Sequence, residues 1–225
     1  MAKLTLFHGS PEIIEKPQLD KGKAYNDYGR GFYCTESEEL AKEWACTEGI
    51  DGYANRYEIE TNGLRILDLS SEEYTILHWL ALLVTYRKLR LTTPVMKRGA
   101  EWLKEHFLLP VEEYDIVTGY RADDSYFSFA RAFVNNEISL KQLSYAMRLG
   151  KLGEQVVLKS ERAFVAIRFV SYQTADHTIY YVRRKVRDEE ARAAFMAELE
   201  QEDLEGLYMR DMIREGVNAD YARLR

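Results

Sequence analysis

YNDYGRGFYCTESEELAKEWA, residues 25 to 45, is the stretch on which the predicted fold depends, because it joins a glycine loop, an aromatic strand and a helix. Gly29 and Gly31 can adopt backbone angles that other residues avoid, so the chain can turn sharply and approach a ligand closely. Phe32 and Tyr33 follow in a strand, where neighbouring side chains point to opposite faces. This arrangement is typical of a binding site built from a loop and an aromatic ring.

The residues after this strand predict a helix. Thr35 and Glu38 have the spacing of a capping box, in which each side chain hydrogen-bonds the backbone N–H of the other residue. An apolar stripe at helical spacing follows, formed by Leu40, Ala41, Trp44 and Ala45. We expect one ring of the Phe32–Tyr33 pair to pack on this helix and the other ring to face a pocket.

The composition indicates one large domain with its own core. The chain has 225 residues, of which 46% are hydrophobic, and this is ample for a core. The formal net charge of −6 argues against a surface that binds duplex nucleic acid through bulk charge. No apolar run approaches the roughly 20 residues of a membrane helix, and the N-terminus lacks the pattern of a signal peptide.

The numbers and spacing of the cysteines and histidines argue against a disulfide-rich protein and against a metal site. Two cysteines, Cys34 and Cys46, form neither a disulfide framework nor a four-cysteine zinc site, so a reducing cytoplasm is the expected location. His78, His106 and His177 lack the spacing of metal ligands, and no metal is predicted.

Hydrophobic patterns and capping signals predict the remaining elements. Strands are expected at residues 4–8, 53–60, 64–69, 114–118, 154–159, 164–172 and 179–182. Helices are expected from Ser70 to about Arg90, from Thr93 to about Phe107, from Tyr126 to Val134 and from Ser139 to Gly150. The turn at Asn62-Gly63 predicts that the strands at 53–60 and 64–69 pair with each other.

The predicted domain comprises residues 1–182, with a helical insertion at about 70–107, and a tail follows at residues 183–225. The tail has dense mixed charge with Ala, Leu and Met at helical spacing, so it is expected to form one or two amphipathic helices. Such helices either return to the body of the domain or bind a partner.

Two blocks resemble the ADP-ribosyltransferase superfamily, on the branch with an H-Y-E triad that includes the poly(ADP-ribose) polymerases and diphtheria toxin. Phe7–Ser10 resembles the His-Gly-Ser block, and Tyr28–Tyr33 resembles the Phe-Gly-x-Gly-Ile-Tyr block. The layout is similar to a bacterial group of the same clan, in which an Asp-Ile-Val-x-Gly-x-x-Ala-Asp-Asp block recurs, here Asp115–Asp124. The resemblance implies an α+β fold of split, mainly antiparallel sheets with an NAD site in the cleft between them.

The resemblance also implies roles for single residues. His8 matches the histidine that hydrogen-bonds the ribose next to nicotinamide, Gly9 matches the glycine whose backbone holds the carboxamide, and Tyr33 matches the aromatic residue that stacks on the nicotinamide ring. The other implied cofactor-binding residues lie in the same two blocks, and they are Ser10, Arg30, Gly31 and Phe32.

The third triad position falls at Glu154 or Gln155, which as neighbours in a strand point to opposite faces. Alignment on the apolar run that follows assigns Gln155 to the position, and the bacterial group resembles this chain in having glutamine there. A neutral amide can hydrogen-bond a ribose hydroxyl, but it cannot act as a base. The nearby carboxylates that could do so are Glu154, Asp123 and Asp124.

The resemblance implies mono-ADP-ribosyl transfer from NAD to a protein or nucleic acid, and a role as the toxin of a bacterial toxin–antitoxin pair or as an effector. An antitoxin would then be a partner, and no membrane partner is expected. Three alternatives remain open: an NAD glycohydrolase, a non-catalytic module that binds NAD or ADP-ribose, and an interaction domain organised around the charged tail.

Overall fold

The computed structural model describes residues 3–87, 89–122, 124–149, 153–219 and 221. Its strands are β1 (Lys3–Ser10), β2 (Phe32–Cys34), β3 (Gly52–Glu60), β4 (Ile66–Asp68), β5 (Ile116–Tyr120), β6 (Glu154–Leu158) and β7 (Ile167–Ala175). Its helices are α1 (Glu38–Ala45), α2 (Ile76–Tyr86), α3 (Pro94–Phe107), α4 (Asp124–Val134), α5 (Leu140–Leu149), α6 (Glu161–Ala166), α7 (His177–Leu199) and α8 (Met209–Glu215).

The strands form two sheets, and the class is α+β. The first sheet has the order β1-β3-β7 and is antiparallel throughout. The second has the order β2-β6-β5-β4 and is antiparallel except for the parallel pair β4–β5. Phe7 and Thr35 exchange two backbone hydrogen bonds of 2.7 and 2.9 Å, so the two sheets are linked where β1 passes the end of β2.

The second sheet is buried on both faces along most of β6, which explains the continuous apolar run in this strand. Val156 and Leu158 pack with Leu6 and Tyr57 of the first sheet. Val157, on the opposite face, packs against the helices. The chain therefore forms three layers: the first sheet, the second sheet and a group of helices. None of the helices that the structure describes combines the length and the apolar character needed to cross a membrane.

Two predicted helix starts are confirmed. Thr93 caps α3, because its Oγ1 accepts a hydrogen bond from the backbone N–H of Met96 at 3.1 Å. Ser139 and Gln142 cap the start of α5 reciprocally, with N–H to side-chain distances of 3.2 and 2.9 Å.

Two other predicted helix starts are wrong. Thr35 does not cap α1, because its backbone is paired with Phe7; Ser37 caps this helix by accepting from Leu40 N at 3.3 Å. The Ser70–Glu73 spacing does not open α2, which begins at Ile76 after Thr75.

Three strand predictions also need correction. The segment 64–69 does not pair with β3, because β3 already has β1 and β7 as neighbours; instead β4 joins the second sheet beside β5. The segment 164–172 begins within α6, which Ser160 caps, and the strand starts only at Ile167. The segment 179–182 is helical, because Asp176 accepts from Thr178 N at 2.8 Å and caps α7.

The described part of the predicted tail packs on the rest of the chain. Helix α7 runs through residues 182 and 183 without a break. The ring of Phe195 lies 4.1 Å from the ring of Phe129, between centroids, and Arg187 forms a 2.6 Å ion pair with Glu43 of α1. Met209 and Met212 of α8 are fully buried.

Candidate active site

A cleft of two adjoining cavities opens where β1 ends and β2 begins. The larger cavity has a volume of about 830 Å³ and is lined by residues 8–18, 21–23, 26 and 31–33. The smaller has a volume of about 400 Å³, and both are bordered by His8, Gly9, Lys23, Asn26 and Tyr33. The smaller cavity is also lined by Asp27, Trp44, Arg87, Arg121, Ala122 and Gln155.

His8 lies at the junction of the two cavities with one ring nitrogen already engaged. Its Nδ1 is 2.7 Å from the carbonyl oxygen of Tyr33, and its ring stacks on that of Phe32 at 4.3 Å between centroids. Because a carbonyl only accepts hydrogen bonds, Nδ1 carries the proton, and Nε2 of the neutral ring is an acceptor. Burial lowers the pKa of His8, although the hydrogen bond to Tyr33 opposes this shift, so the neutral form is favoured.

The Tyr33 side chain combines a structural hydroxyl with a ring that borders both cavities. The hydroxyl donates to the carbonyl of Gly29 at 2.6 Å and accepts from the N–H of Tyr28 at 3.0 Å. Burial raises the pKa of Tyr33, so it stays a neutral phenol. Gly29 has φ of +75°, and a Cβ there would lie 2.7 Å from the ring of Tyr86. The loop therefore needs this glycine, and Tyr33 fixes the loop.

Gly9 is needed for close packing. A Cβ at this position would lie 2.0 Å from the carbonyl oxygen of Ala41 and 2.8 Å from the backbone nitrogen of Ala45. No side chain fits between the end of β1 and helix α1 without a backbone shift. The glycine thus brings the backbone of β1 against α1 at the edge of the cleft.

Gln155 points into the cleft, and Glu154 does not. Val157 lies opposite Tyr33 in the ladder, and Gln155, two residues away, shares the face of both. Gln155 is 3% exposed, and its Nε2 donates to Asp27 Oδ2 at 2.9 Å and to the carbonyl of Tyr120 at 3.0 Å. Glu154 is exposed and lines neither cavity.

Some of the other predicted site residues line the cleft, and others do not. Ser10, Gly31 and Phe32 line the larger cavity, and Ser10 Oγ accepts from the N–H of Glu12 at 3.1 Å. Arg30 is exposed and lines neither cavity. Its carbonyl accepts a 2.9 Å hydrogen bond from Lys159, which also binds the carbonyl of Tyr28 and so holds the glycine loop. Asp123 lies outside the described residues, and Asp124 is the first residue of α4.

Asp27 is a site residue that the sequence pattern predicts only as part of a loop. It is 5% exposed, and its Oδ2 accepts hydrogen bonds from Ala122 N and Gln155 Nε2, both at 2.9 Å. Its Oδ1 lies 3.5 Å from Nη1 of Arg87. Burial raises the pKa of Asp27, opposed by these hydrogen bonds and by the charges of Arg87 and Arg121. The signal available in the sequence was an acidic residue directly before the glycine loop.

Positive charge dominates the smaller cavity. Lys23, Arg87 and Arg121 face one carboxylate, that of Asp27, among the described residues that line it. The Arg121 guanidinium lies over the ring of Trp44, 3.8 Å from its centroid. An anionic ligand is therefore favoured at this end of the cleft. No local sequence pattern points to these cations, because they come from three segments far apart in the chain.

One group of potential metal ligands occurs among the described residues, and it lies outside the cleft. Asp51, Asp176 and His177 have donor atoms within 4.8 Å of one another at the surface. Asp51 accepts from Nδ1 of His177 at 2.7 Å and from its backbone N–H at 2.8 Å, and Asp176 caps α7. Their carboxylates serve the start of that helix.

The chain belongs to a family described as proteins of unknown function (DUF3990), whose model matches residues 4–169. This range contains every residue that lines the two cavities of the cleft. Comparisons with curated proteins and with solved structures found no significant match.

Proposed function

We propose that this protein is a mono-ADP-ribosyltransferase that uses NAD and modifies a macromolecular acceptor. The observation that carries the proposal is the convergence of His8, Tyr33 and Gln155, from three different strands, on one cavity. These are the residues to which the resemblance assigns the H-Y-[EQ] triad. Their meeting is supportive, because they lie far apart in the sequence.

The chemistry of each group suits the part of NAD assigned to it. Neutral His8 has an acceptor at Nε2 for a ribose hydroxyl, since Nδ1 is bonded to Tyr33. The Tyr33 ring, held by its hydroxyl, is a rigid flat surface on which nicotinamide can stack. The amide hydrogens of Gln155 are bonded to Asp27 and Tyr120, so its carbonyl oxygen remains as an acceptor.

The shape and charge of the cleft suit a dinucleotide. The larger cavity alone, at about 830 Å³, falls in the range of small-molecule sites, and the smaller one extends it. Lys23 and Arg87 supply positive charge that complements a pyrophosphate. NAD would therefore bind with its nicotinamide end at the triad and its phosphates near these cations.

The reaction needs a site that favours an oxocarbenium-like sugar. Cleavage of the bond between nicotinamide and ribose leaves positive charge on the sugar, so the site must orient the ribose and exclude water. Positioning of this kind supplies about 7–11 kcal/mol in ideal cases. His8 and Tyr33, which are joined by a hydrogen bond, would set the relative positions of ribose and leaving group.

Transfer is tested by incubating adenine-labelled NAD and the protein with cell lysate. Transfer would attach the label to a macromolecule. Its release by protease or by ribonuclease would then identify the class of the acceptor. His8→Ala should abolish labelling, and Glu101→Ala, on the exposed face of α3, should not. Absence of label with the wild-type protein would contradict transfer. A bacterial toxin role, which rests on the same resemblance, predicts that expression arrests growth and that His8→Ala relieves the arrest.

A second candidate is a non-catalytic module that binds NAD or ADP-ribose. The observation in its favour is the neutral amide at position 155, because an amide cannot act as a base. This candidate predicts NAD binding without release of nicotinamide. NAD hydrolysis is distinguished from both by nicotinamide release without any labelled macromolecule.

A further inference from the structure

Asp27 occupies a position in the cleft that the triad does not explain. It is the one acidic residue among the described residues that line the smaller cavity, next to His8, Tyr33 and Gln155. Glu154, the acidic residue nearest in sequence to Gln155, is exposed and outside the cleft. A carboxylate is thus present at the site on a different segment.

The two oxygens of Asp27 differ in their contacts. Oδ2 accepts two hydrogen bonds, from Ala122 N and Gln155 Nε2. Oδ1 is buried and has no hydrogen-bond partner among the residues that the structure describes, with Arg87 Nη1 at 3.5 Å. A buried polar atom without a hydrogen bond costs about 1–3 kcal/mol, and where it persists it calls for an explanation such as a catalytic role.

Burial and the neighbouring charges act on the pKa of Asp27 in opposite directions. Burial raises its pKa, while Arg87 and Arg121 oppose this shift. Lys23, His8 and Tyr33 also line this cavity, and the hydroxyl of Tyr33 is neutral. A carboxylate with a raised pKa accepts a proton more readily than an ordinary one.

We propose that Asp27 supplies the carboxylate that Gln155 lacks, and that this carboxylate, which lines the smaller cavity, takes the proton of the acceptor nucleophile. The inference rests on the proposed transferase function. In the step, the bond between nicotinamide and the ribose carbon breaks, and its electron pair leaves with nicotinamide. A lone pair on the acceptor's oxygen or nitrogen forms the new bond to that carbon. The acceptor's proton moves to the carboxylate of Asp27 and passes to solvent when the product leaves.

The same geometry explains why an amide suits position 155. Nε2 of Gln155 donates to Oδ2 of Asp27 at 2.9 Å, so Gln155 acts as a positioning residue for the carboxylate. A glutamate there would bring two carboxylates to this distance, and they would share a proton. A single glutamate would supply both the hydrogen bond to ribose and the negative charge. In this protein Gln155 would supply the hydrogen bond and Asp27 the charge.

Asp27→Asn tests the proposal, because it removes the charge and keeps the shape. We expect the rate of ADP-ribosyl transfer to fall about 100-fold or more while NAD still raises the melting temperature. The matched control is Asp115→Asn. Asp115 is also 5% exposed, but it bonds Arg65 N and Ser160 Oγ outside the cleft, and its variant should keep the wild-type rate per folded protein. A wild-type rate for Asp27→Asn would overturn the role proposed for Asp27, and it would leave the proposed transferase function standing.

A second variant tests the proposal even if Asp27→Asn fails to fold. In Gln155→Glu, the two carboxylates titrate as a pair that loses its second proton at a raised pKa, so the acid limb of the pH–rate profile should move to higher pH. A limb that does not move would overturn the assignment of Asp27. If the wild-type protein neither binds NAD nor releases nicotinamide, the proposed function fails and this inference fails with it.

Discussion

Nδ1 of His8 donates a hydrogen bond of 2.7 Å to the carbonyl oxygen of Tyr33, and this contact ties the end of β1 to β2. It lies next to the backbone pair of Phe7 and Thr35, which links the two sheets. The two sequence blocks that resemble ADP-ribosyltransferases are therefore in direct contact. In the proposed function, the histidine that holds the ribose and the tyrosine that stacks on nicotinamide cannot move independently.

Two substitutions of His8 can distinguish the roles of its two ring nitrogens. His8→Asn keeps a donor close to Nδ1 for Tyr33 but removes the acceptor Nε2, whereas His8→Ala removes both. We expect His8→Ala to lower the free energy of unfolding by about 1–3 kcal/mol, and His8→Asn to lower it less. Both variants should lose NAD-dependent stabilisation in a melting experiment. Normal NAD binding by His8→Asn would remove Nε2 from the proposed site.

The pH dependence of stability should reveal neutral His8. Burial lowers its pKa in the folded state below the value of about 6.5 in the unfolded chain. The unfolded state then binds more protons, so the contribution of His8 is fully present above about pH 6.5 and is lost as the pH falls below it. Denaturant unfolding of the wild type and His8→Asn between neutral and mildly acidic pH measures this. The wild type should lose more stability than the variant, and parallel curves would contradict the prediction.

Gln155 and Glu154 make a matched pair of neighbours. Gln155→Ala leaves Oδ2 of Asp27 and the Tyr120 carbonyl each without one hydrogen bond, so it should cost about 1–3 kcal/mol of stability and abolish transfer. Glu154→Ala changes an exposed side chain and should stay within about 0.5 kcal/mol of wild type with its activity kept. Urea unfolding and labelled-NAD transfer measure both effects. The reverse ranking would mean that Glu154 is the group on which activity depends.

Gly9 should be sensitive to the smallest substitution. The Cβ of Gly9→Ala would overlap the Ala41 carbonyl oxygen, and overpacking of this kind costs about 1–3 kcal/mol or more. Gly49→Ala is the control: a Cβ there meets no atom within 4 Å, and only its φ of +73° is unfavourable. Thermal unfolding should therefore rank Gly9→Ala below Gly49→Ala, and an equal ranking would mean that α1 can move away from β1.

Local signals in the sequence correctly predicted the helices whose starts depend only on residues close by in the chain. Thr93-Pro94 and the Ser139–Gln142 pair marked the starts of α3 and α5, because a cap needs only a few residues. The cap of α2 escaped prediction, since His78 rather than an acidic residue bonds the Thr75 N–H. Thr35 failed as a cap because Phe7 takes its backbone, and that partner is distant in sequence.

Long-range pairing accounts for the remaining differences. The partner of β4 depends on the neighbours of β3, which one turn sequence at Asn62-Gly63 does not reveal. Asp27 and Gln155 are 128 residues apart, so no local pattern connects them. Period-2 alternation could nevertheless separate Gln155 from Glu154, because strand neighbours point to opposite faces wherever the strand pairs.

The central claim, a site that cleaves NAD, is tested most directly by nicotinamide release from NAD by the purified protein, with and without lysate. Tyr33→Ala serves as the control that lacks the stacking ring, and NAD-dependent melting shifts are recorded in parallel. We predict release by the wild type that increases with lysate, and neither release nor a melting shift with Tyr33→Ala. A wild-type protein that neither releases nicotinamide nor melts at a higher temperature with NAD would contradict the account.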